Sequence, residues 1–453
     1  MEDLSFKSMD IGVAIMGYGV VGKGVAYAIR NNCDQIEKRT GLRLRLLHIL
    51  DILNFPDSPD AALITHEVQD IMNDVNVDVV VETMGGIKIA HEYTRDALAR
   101  RKHVVTSNKE LVAEYGPELL ALARSCGVHY RFDASVGGGI PIVSTIRECL
   151  AANRVEEIIG ILNGTTNYML TYMRDHGACF AETLKMAQDE GYAEKDPSAD
   201  IGGADACRKL AILSSIALDA FIDWKDIHTE GMESVTVDDV ALAADLGRVL
   251  KLVARARRLE DGRVEAYVLP AMLDRHSLLS GVDGVNNAVM VRGDLTGDVM
   301  LYGQGAGALP TGSAIISDIV KSVVGQGAAN GQEASNGQGK ANCQGAIGDI
   351  LYNPYWDRKQ SIDVIDFSAC SHSFYVRAES SDMNAFCEHL FIEFPQARIL
   401  PRAQAGDPDM SGAAANECAF TAPCQKEGDF SNKLACIISK ISGSSIKFIA
   451  RLI

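Results

Sequence analysis

The chain has 453 residues, with 43 Lys plus Arg against 60 Asp plus Glu, a formal net charge of −17 and a pI of about 5.1. That balance excludes a broad cationic face for nucleic acid, and 47% hydrophobic with 23% charged residues excludes a disordered or collagen-like chain. No apolar run reaches the roughly 18 residues of a membrane span, the acidic start MEDLSFKSMD is read as no signal peptide, and 11 cysteines standing singly read as reduced thiols. The expectation is a multi-domain cytoplasmic enzyme with no nucleic-acid and no membrane partner.

Residues 1–150 alternate short β-branched runs with amphipathic stretches. IGVAIM (11–16) predicts a buried strand, and GVVGKGVAYAIRNN predicts a helix with small residues near its start. Strands are predicted at 43–51, 77–84, 103–108 and 129–136, with helices over HEYTRDALARR and ELVAEYGPELLALARS between them. Strict alternation implies a doubly wound parallel sheet. Between the first strand and helix stands Gly17-Tyr18-Gly19-Val20-Val21-Gly22, a GxGxxG. In that context the glycines permit a tight turn, approach of a pyrophosphate and close helix–strand packing. A dinucleotide-binding (Rossmann-type) domain follows, a merely structural turn being the alternative.

Asp51 ends the second strand, further beyond Gly22 than the ~20 residues usual for a ribose-binding acid. A longer first helix absorbs the difference. With no basic residue close behind it in the sequence, Asp51 favours NAD over NADP; a solvated strand end is the other reading. Lys109 follows the fourth strand at the carboxyl edge of the sheet, where ligands bind in such folds, although most lysines there are solvated charges. In FDASVGGGIP (132–141) three successive glycines read as a domain-crossing hinge, or as a turn offering carbonyl oxygens to a hard cation.

From 151 the pattern changes to an α+β domain extending to 324. VEEIIGILN (155–163) predicts a strand; helices follow over TTNYMLTYM, AETLKMAQDEG and DACRKLAILSSIAL. Thr236 with Asp239 predicts an N-terminal cap for a helix through ALAADLGRVLKLVARARR. VEAYVLP, NAVMVRG and DVMLYG read as strands. Asp205 and Lys209 share a helix face at i,i+4. A surface salt bridge is the plain account, but the helix continues into the apolar LAILSSIAL. Acids beside a half-buried lysine suit a small zwitterion. Residues 325–347 hold no core-forming periodicity and read as a flexible linker. In 365–453, SFYVRAES, HLFIEF and ECAFTAPC read as strands, NKLACIISKI as a helix and IKFIARLI as a last strand.

Together, GYGVVG, VETMGG, SNKELVA, FDASVGGGIPI, LNGTTNY, GYAEKDPSADIGGADACRKL, EGMESVTVDDV, VDGVNNAV and YGQGAGALPTGSAIISDIV resemble homoserine dehydrogenase, in collinear order over residues 10–325. The family reversibly reduces L-aspartate 4-semialdehyde to L-homoserine with NADH or NADPH, toward threonine, methionine and isoleucine. The resemblance implies that Lys209 is the catalytic proton donor and Lys109 a second active-site lysine beside the nicotinamide. It implies that Glu194, Asp205, Asp200 and Thr165 bind the substrate, and that Gly17 to Gly22, Asp51, Thr83, Lys109 and Gly307 bind the cofactor. Asp133, with the carbonyls of Val136, Gly138 and Ile140, maps onto the family's monovalent-cation site (Na+ or K+), Asp133 standing where Glu is usual. The implied fold is a Rossmann-type domain, its last helix completed by 305–325, plus a catalytic and dimerisation domain. The tail at 365–453 resembles an ACT module lacking its usual Asp-x-Pro-Gly turn, which makes threonine an expected effector. A homodimer or homotetramer is implied. Another lysine-using NAD(P) oxidoreductase, or a non-catalytic amino-acid sensor on this frame, are the alternatives.

Overall fold

The computed structural model describes residues 8–330, 362–400 and 417–453, and the chain divides into two compact units. The first unit comprises residues up to 154 together with 212–221 and the described residues from Gly303 to 330. It begins β1 (Met9–Met16), α1 (Val20–Thr40), β2 (Leu42–Leu50), β3 (Ile64–Thr65), α2 (Val68–Met72), β4 (Val79–Glu82) and α3 (Lys88–Ala99). It continues β5 (His103–Thr106), α4 (Lys109–Cys126), β6 (Tyr130–Arg131), α5 (Ala134–Gly137) and α6 (Ile142–Ser144). The strands form one six-stranded sheet in the order β3-β2-β1-β4-β5-β6, all pairs parallel. Sequential strands lie on either side of β1, so the switch of direction falls between β1 and β4, where such sheets bind ligands.

Buried Val13, Ile15, Val79, Val81 and Val105 supply the sheet's part of the core, with Val25 and Ile29 of α1 against them. The helix Ala308–Asn330 joins this core through Ile315, Ile316, Ile319 and Val323. It lies so close to α1 that a Cβ on Gly24 would fall 2.0 Å from the Ala308 carbonyl oxygen. The strand expected over 129–136 is shorter: β6 covers only Tyr130–Arg131, and the chain turns at once into α5. The helix Ala308–Asn330 also runs into the stretch expected as a linker from 325; the remainder of that stretch, from 331, lies outside the described residues.

The second unit comprises 155–211, 222–302 and the described residues from 362 on. Its elements begin β7 (Val155–Ile161), α7 (Gly164–His176), α8 (Phe180–Asp189), α9 (Ser198–Ile201), α10 (Ala204–Ala217, whose residues from 212 fall in the first unit), β8 (His228–Thr229) and α11 (Val237–Asp245). Then come β9 (Arg248–Arg258), β10 (Val264–Asp274), β11 (Asn286–Gly293) and β12 (Gly297–Gln304), which leads into the helix Ala308–Asn330, α12. After 362 follow β13 (Ser371–Glu379), α13 (Met383–Glu393), β14 (Arg398–Leu400), β15 (Glu417–Lys426), α14 (Glu427–Lys440) and β16 (Ser445–Leu452). One mixed sheet runs β12-β11-β7-β9-β10-β16-β13-β15-β14, with β8 on β10. The C-terminal strands therefore continue the substrate-side sheet through β16 on β10.

Two assignments change. The predicted cap at Thr236 forms a capping box with Asp239, but the helix ends at Asp245. Gly247 takes a left-handed φ of +69°, and the following residues alternate faces as β9, paired along its length with β10. HLFIEF lies in α13, not a strand: Asp382 caps the helix by accepting from the Ala385 N–H, and Phe386 and Leu390, four apart, are buried on one face. The tail thereby has the order βαββαβ. Among the described residues no helix is long and apolar enough to cross a membrane.

Candidate functional site

In the first unit, the glycine run occupies the turn between β1 and α1. The Gly17 N–H donates to the Leu50 carbonyl at 2.8 Å, and the Thr83 N–H to the Met16 carbonyl at 2.8 Å. The Thr83 hydroxyl donates to the Gly17 carbonyl at 2.8 Å, so the turn is pinned to the strands on both sides of β1. A Cβ on Gly22 would fall 2.0 Å from the Gly17 carbonyl oxygen, while one on Gly19 would meet nothing within 4 Å. The loop is tight within and open without. Helix α1 starts at Val20 with Gly19 as N-cap, no side-chain cap and no acidic residue in its first turn. Its uncapped N–H groups and positive end fit a pyrophosphate.

Asp51 follows β2. Its Oδ2 accepts the Tyr18 N–H at 2.6 Å and its Oδ1 the Leu53 N–H at 2.9 Å. The Lys23 ammonium stands 4.9 Å from the Phe55 ring centroid and 5.7 Å from that of Tyr18. A cation therefore does stand beside this segment, brought there by α1 and not by the sequence after Asp51. Gly307 precedes α12 and accepts the Thr311 N–H at 3.1 Å.

Lys109 is half-buried at the first position of α4. Asn108 caps that helix by accepting the Leu111 N–H at 3.0 Å, and its amide donates to the Gly86 carbonyl at 2.8 Å. Close by, fully buried Glu82 accepts from the Thr106 hydroxyl at 2.5 Å and the Met84 N–H at 2.8 Å. Burial pushes its carboxyl up to about 7. Glu82 stands in VETMGG, and only its burial singles it out.

Buried Asp133 accepts the N–H groups of Val143 at 2.9 Å and Ser144 at 3.1 Å, and its own N–H donates to Asp318 at 2.9 Å. Burial, followed by the neighbouring Asp133 charge, pushes the Asp318 carboxyl up to about 7. Val136 and Gly138 stand in the same turn, and the Ile140 carbonyl accepts the Ile142 N–H at 2.8 Å. Each Asp133 oxygen accepts one main-chain N–H, as the Ile140 carbonyl does. Among the described residues no three His, Cys, Asp or Glu side chains are grouped to hold a metal ion.

In the second unit a polar cluster forms where β7 ends. Lys209, 8% exposed on α10, donates to the Leu162 carbonyl at 2.9 Å and to Asp205 Oδ2 at 2.8 Å. An ammonium carries three N–H groups; among the described residues only these two acceptors meet it. Asp205 is 3% exposed, so this i,i+4 pair is no surface salt bridge. The Thr165 hydroxyl donates to the Tyr192 carbonyl at 2.6 Å and approaches Asp200 Oδ2 at 3.3 Å. Asn163 joins the acids, its amide nitrogen 2.7 Å from Asp200 Oδ1 and 2.9 Å from Asp205 Oδ2. The structure thus brings Thr165, Asp200, Asp205 and Lys209 together. Glu194 stays outside that bonded group: it is exposed on the loop before α9, where Gln188 holds its backbone carbonyl at 3.0 Å. Asn163 was missed by sequence reasoning; its one signal was an Asn directly before a helix start.

Family models extend these observations. The model described as "Homoserine dehydrogenase, NAD binding domain" matches residues 17–133, and that described as "Homoserine dehydrogenase" matches 141–320. A homoserine dehydrogenase of Bacillus subtilis (strain 168) is 41% identical over 314 residues, 68% of this chain and 72% of the relative. One of Pseudomonas aeruginosa is 37% identical over 371 residues, 82% of each chain. The solved structure of a homoserine dehydrogenase from Thiobacillus denitrificans is similar with a TM-score of 0.81 at 33% identity, covering 98% of this chain and 99% of that one. A hyperthermophilic archaeal homoserine dehydrogenase in complex with NADPH has a TM-score of 0.59 at 27% identity, covering 70% and 98%.

Proposed function

Because this chain belongs to the homoserine dehydrogenase family, NAD(P)-dependent oxidoreductases of threonine and methionine biosynthesis, we propose that Lys209 is its proton donor. The reaction interconverts L-aspartate 4-semialdehyde and L-homoserine. When bound, the dihydronicotinamide supplies the hydride that reduces the aldehyde carbon. Negative charge then grows on the carbonyl oxygen. The Lys209 ammonium stabilises that charge and hands over its proton, and in the reverse direction the neutral amine takes the hydroxyl proton. The observation that carries this assignment is a buried ammonium with two of its three N–H groups anchored, on Leu162 and Asp205. Anchoring fixes where the third points.

Asp200 and Asp205, with Thr165, supply the carboxylates and hydroxyl for the amino-acid end of the substrate, and Glu194 joins them from its loop. The first unit holds the cofactor through Gly17, Tyr18, Gly19, Val20, Val21 and Gly22, with Asp51, Thr83, Lys109 and Gly307. Lys109 is the second active-site lysine. The Asp51 carboxylate disfavours a 2′-phosphate and supports NAD over NADP. Val136, Gly138 and Ile140 hold Na+ or K+ through carbonyls, and Asp133 shapes that turn by accepting the α6 N–H groups. The βαββαβ order of the tail supports the ACT-like reading, and threonine is its proposed effector. The assembly is a homodimer or homotetramer, in the cytoplasm.

The test is Lys209→Met in NAD(P)-linked homoserine oxidation. Turnover falls by about 10²–10⁴-fold, the usual worth of a positioned proton donor, while reduced-cofactor binding by fluorescence is unchanged. Retained turnover would remove Lys209 from the reaction.

A further inference from the structure

We propose that Asn163 is a positioning residue that keeps Asp200 and Asp205 ionised side by side and thereby sets both substrate affinity and the orientation of Lys209. The proposal rests on the reading of these acids and of Lys209 as the substrate site.

Asn163 is 4% exposed and is the N-cap of α7, with φ −124° and ψ 117°. Its side-chain oxygen accepts the Thr166 N–H at 2.8 Å and the Thr166 hydroxyl at 2.8 Å. A main-chain N–H can only donate, so the amide orientation is fixed: oxygen toward the helix, nitrogen toward the acids. The two hydrogens of that nitrogen are then divided between Asp200 Oδ1 and Asp205 Oδ2. The Asp205 oxygen that receives Asn163 also receives Lys209. The carbonyl that receives Lys209 belongs to Leu162, the residue before Asn163. One dipeptide at the end of β7 therefore holds both acids and the lysine.

Lys209 pairs with Asp205, but Asp200 stands beside that acid on the same amide nitrogen, and a second nearby carboxylate makes each harder to ionise. A protonated acid would present an O–H where the substrate ammonium needs an acceptor. An uncharged amide donating to both acids stabilises the doubly ionised state without adding a cation that would compete with the substrate or with Lys209. Aspartate at 163 reverses this, placing a third carboxylate where two donors stood. Serine supplies a cap but only one short hydroxyl, already needed by the Thr166 N–H. Aspartate and serine both remain good N-caps, so neither change removes the helix-starting role.

The experiment compares N163D and N163S with the unaltered full chain in homoserine oxidation, across pH and at saturating cofactor. For both variants the KM for homoserine rises tenfold or more, with the KM for the oxidised cofactor within twofold. In N163D the acid limb of kcat/KM moves upward by about one pH unit, as an extra proton must be lost. Circular dichroism checks that the fold is kept. A homoserine KM and pH profile unchanged in both variants overturn the proposal, and so does insolubility of both, which makes the residue structural. Lys209→Met reads the other assignment separately: failure there, with the Asn163 effects present, removes the proton donor but leaves the acid pair and its amide.

Discussion

Arg377 grips Asp239 through Nε at 3.0 Å and Nη2 at 3.2 Å, joining strand β13 of the C-terminal segment to the capping box of α11. Asp239 is fully buried, and the Tyr375 hydroxyl also donates to it at 2.7 Å. A buried charge that loses its cation is costly, although the remaining donors soften the loss. Arg377→Met is expected to destabilise the chain by about 3 kcal/mol, measured as a lower urea midpoint at unchanged m-value. A change within 0.5 kcal/mol shows the tail to be loosely attached.

The glycine turn has no room for a side chain at its third glycine. Gly22→Ala drives a Cβ onto the Gly17 carbonyl oxygen, so the turn must open and the N–H groups of α1 lose their aim. Cofactor affinity is expected to fall by at least tenfold in a fluorescence titration, with homoserine binding measured calorimetrically unaffected. Equal cofactor affinity contradicts the assignment of this turn.

Asp51 tests cofactor choice. On the proposed assignment its carboxylate repels a 2′-phosphate, while the Lys23 ammonium stands 4.9 Å from the nearby Phe55 ring centroid. Asp51→Ser is expected to raise kcat/KM with NADPH relative to NADH by about tenfold, about 1.4 kcal/mol. An unmoved ratio shows that Asp51 acts only through the Tyr18 and Leu53 N–H groups.

Glu82 makes the stability of the chain pH-dependent. Unfolded, its carboxyl ionises near 4.5; folded, burial holds it to about 7. Between those values the folded state keeps a proton that the unfolded state has released, so this group's contribution to stability falls as pH rises from 4.5 to 7 and is level above. The loss is about 3 kcal/mol at ~1.4 kcal/mol per pH unit. Glu82→Gln is expected to flatten that part of the curve, read as urea midpoints at pH 5 and pH 7.5. Parallel curves for the two proteins would show that Glu82 does not titrate in this window.

The doubly wound sheet was legible because parallel strands buried on both faces give apolar runs such as Ile11–Met16, and because the glycine turn sits between strand and helix. The i,i+4 pairing of Asp205 and Lys209 was legible for the same kind of reason, a helical period read directly. Two segments misled. VLKLVARARR suits a helix by composition, yet Gly247 turns the chain and β10 offers a full-length partner, so pairing overrode propensity. In α13 the exposed Phe391 and Ile392 follow buried Leu390, so three consecutive apolar residues on different sides of a helix read as a continuous apolar strand. Asn163 was illegible because its partners lie far along the chain, at Asp200 and Asp205; only tertiary structure shows that a helix cap also faces two acids.

The nucleotide-binding unit draws its covering helix from Ala308–Asn330, after the whole span 155–302 has been made. On the ribosome the first 154 residues therefore emerge with the α1 face that Ile315, Ile316 and Ile319 later cover still exposed, and they must wait for about their own synthesis time again, at ~5–20 residues per second, before that helix is made. A chain stopped before residue 308 lacks the side chains of Ile315, Ile316, Ile319 and Val323 that complete this core.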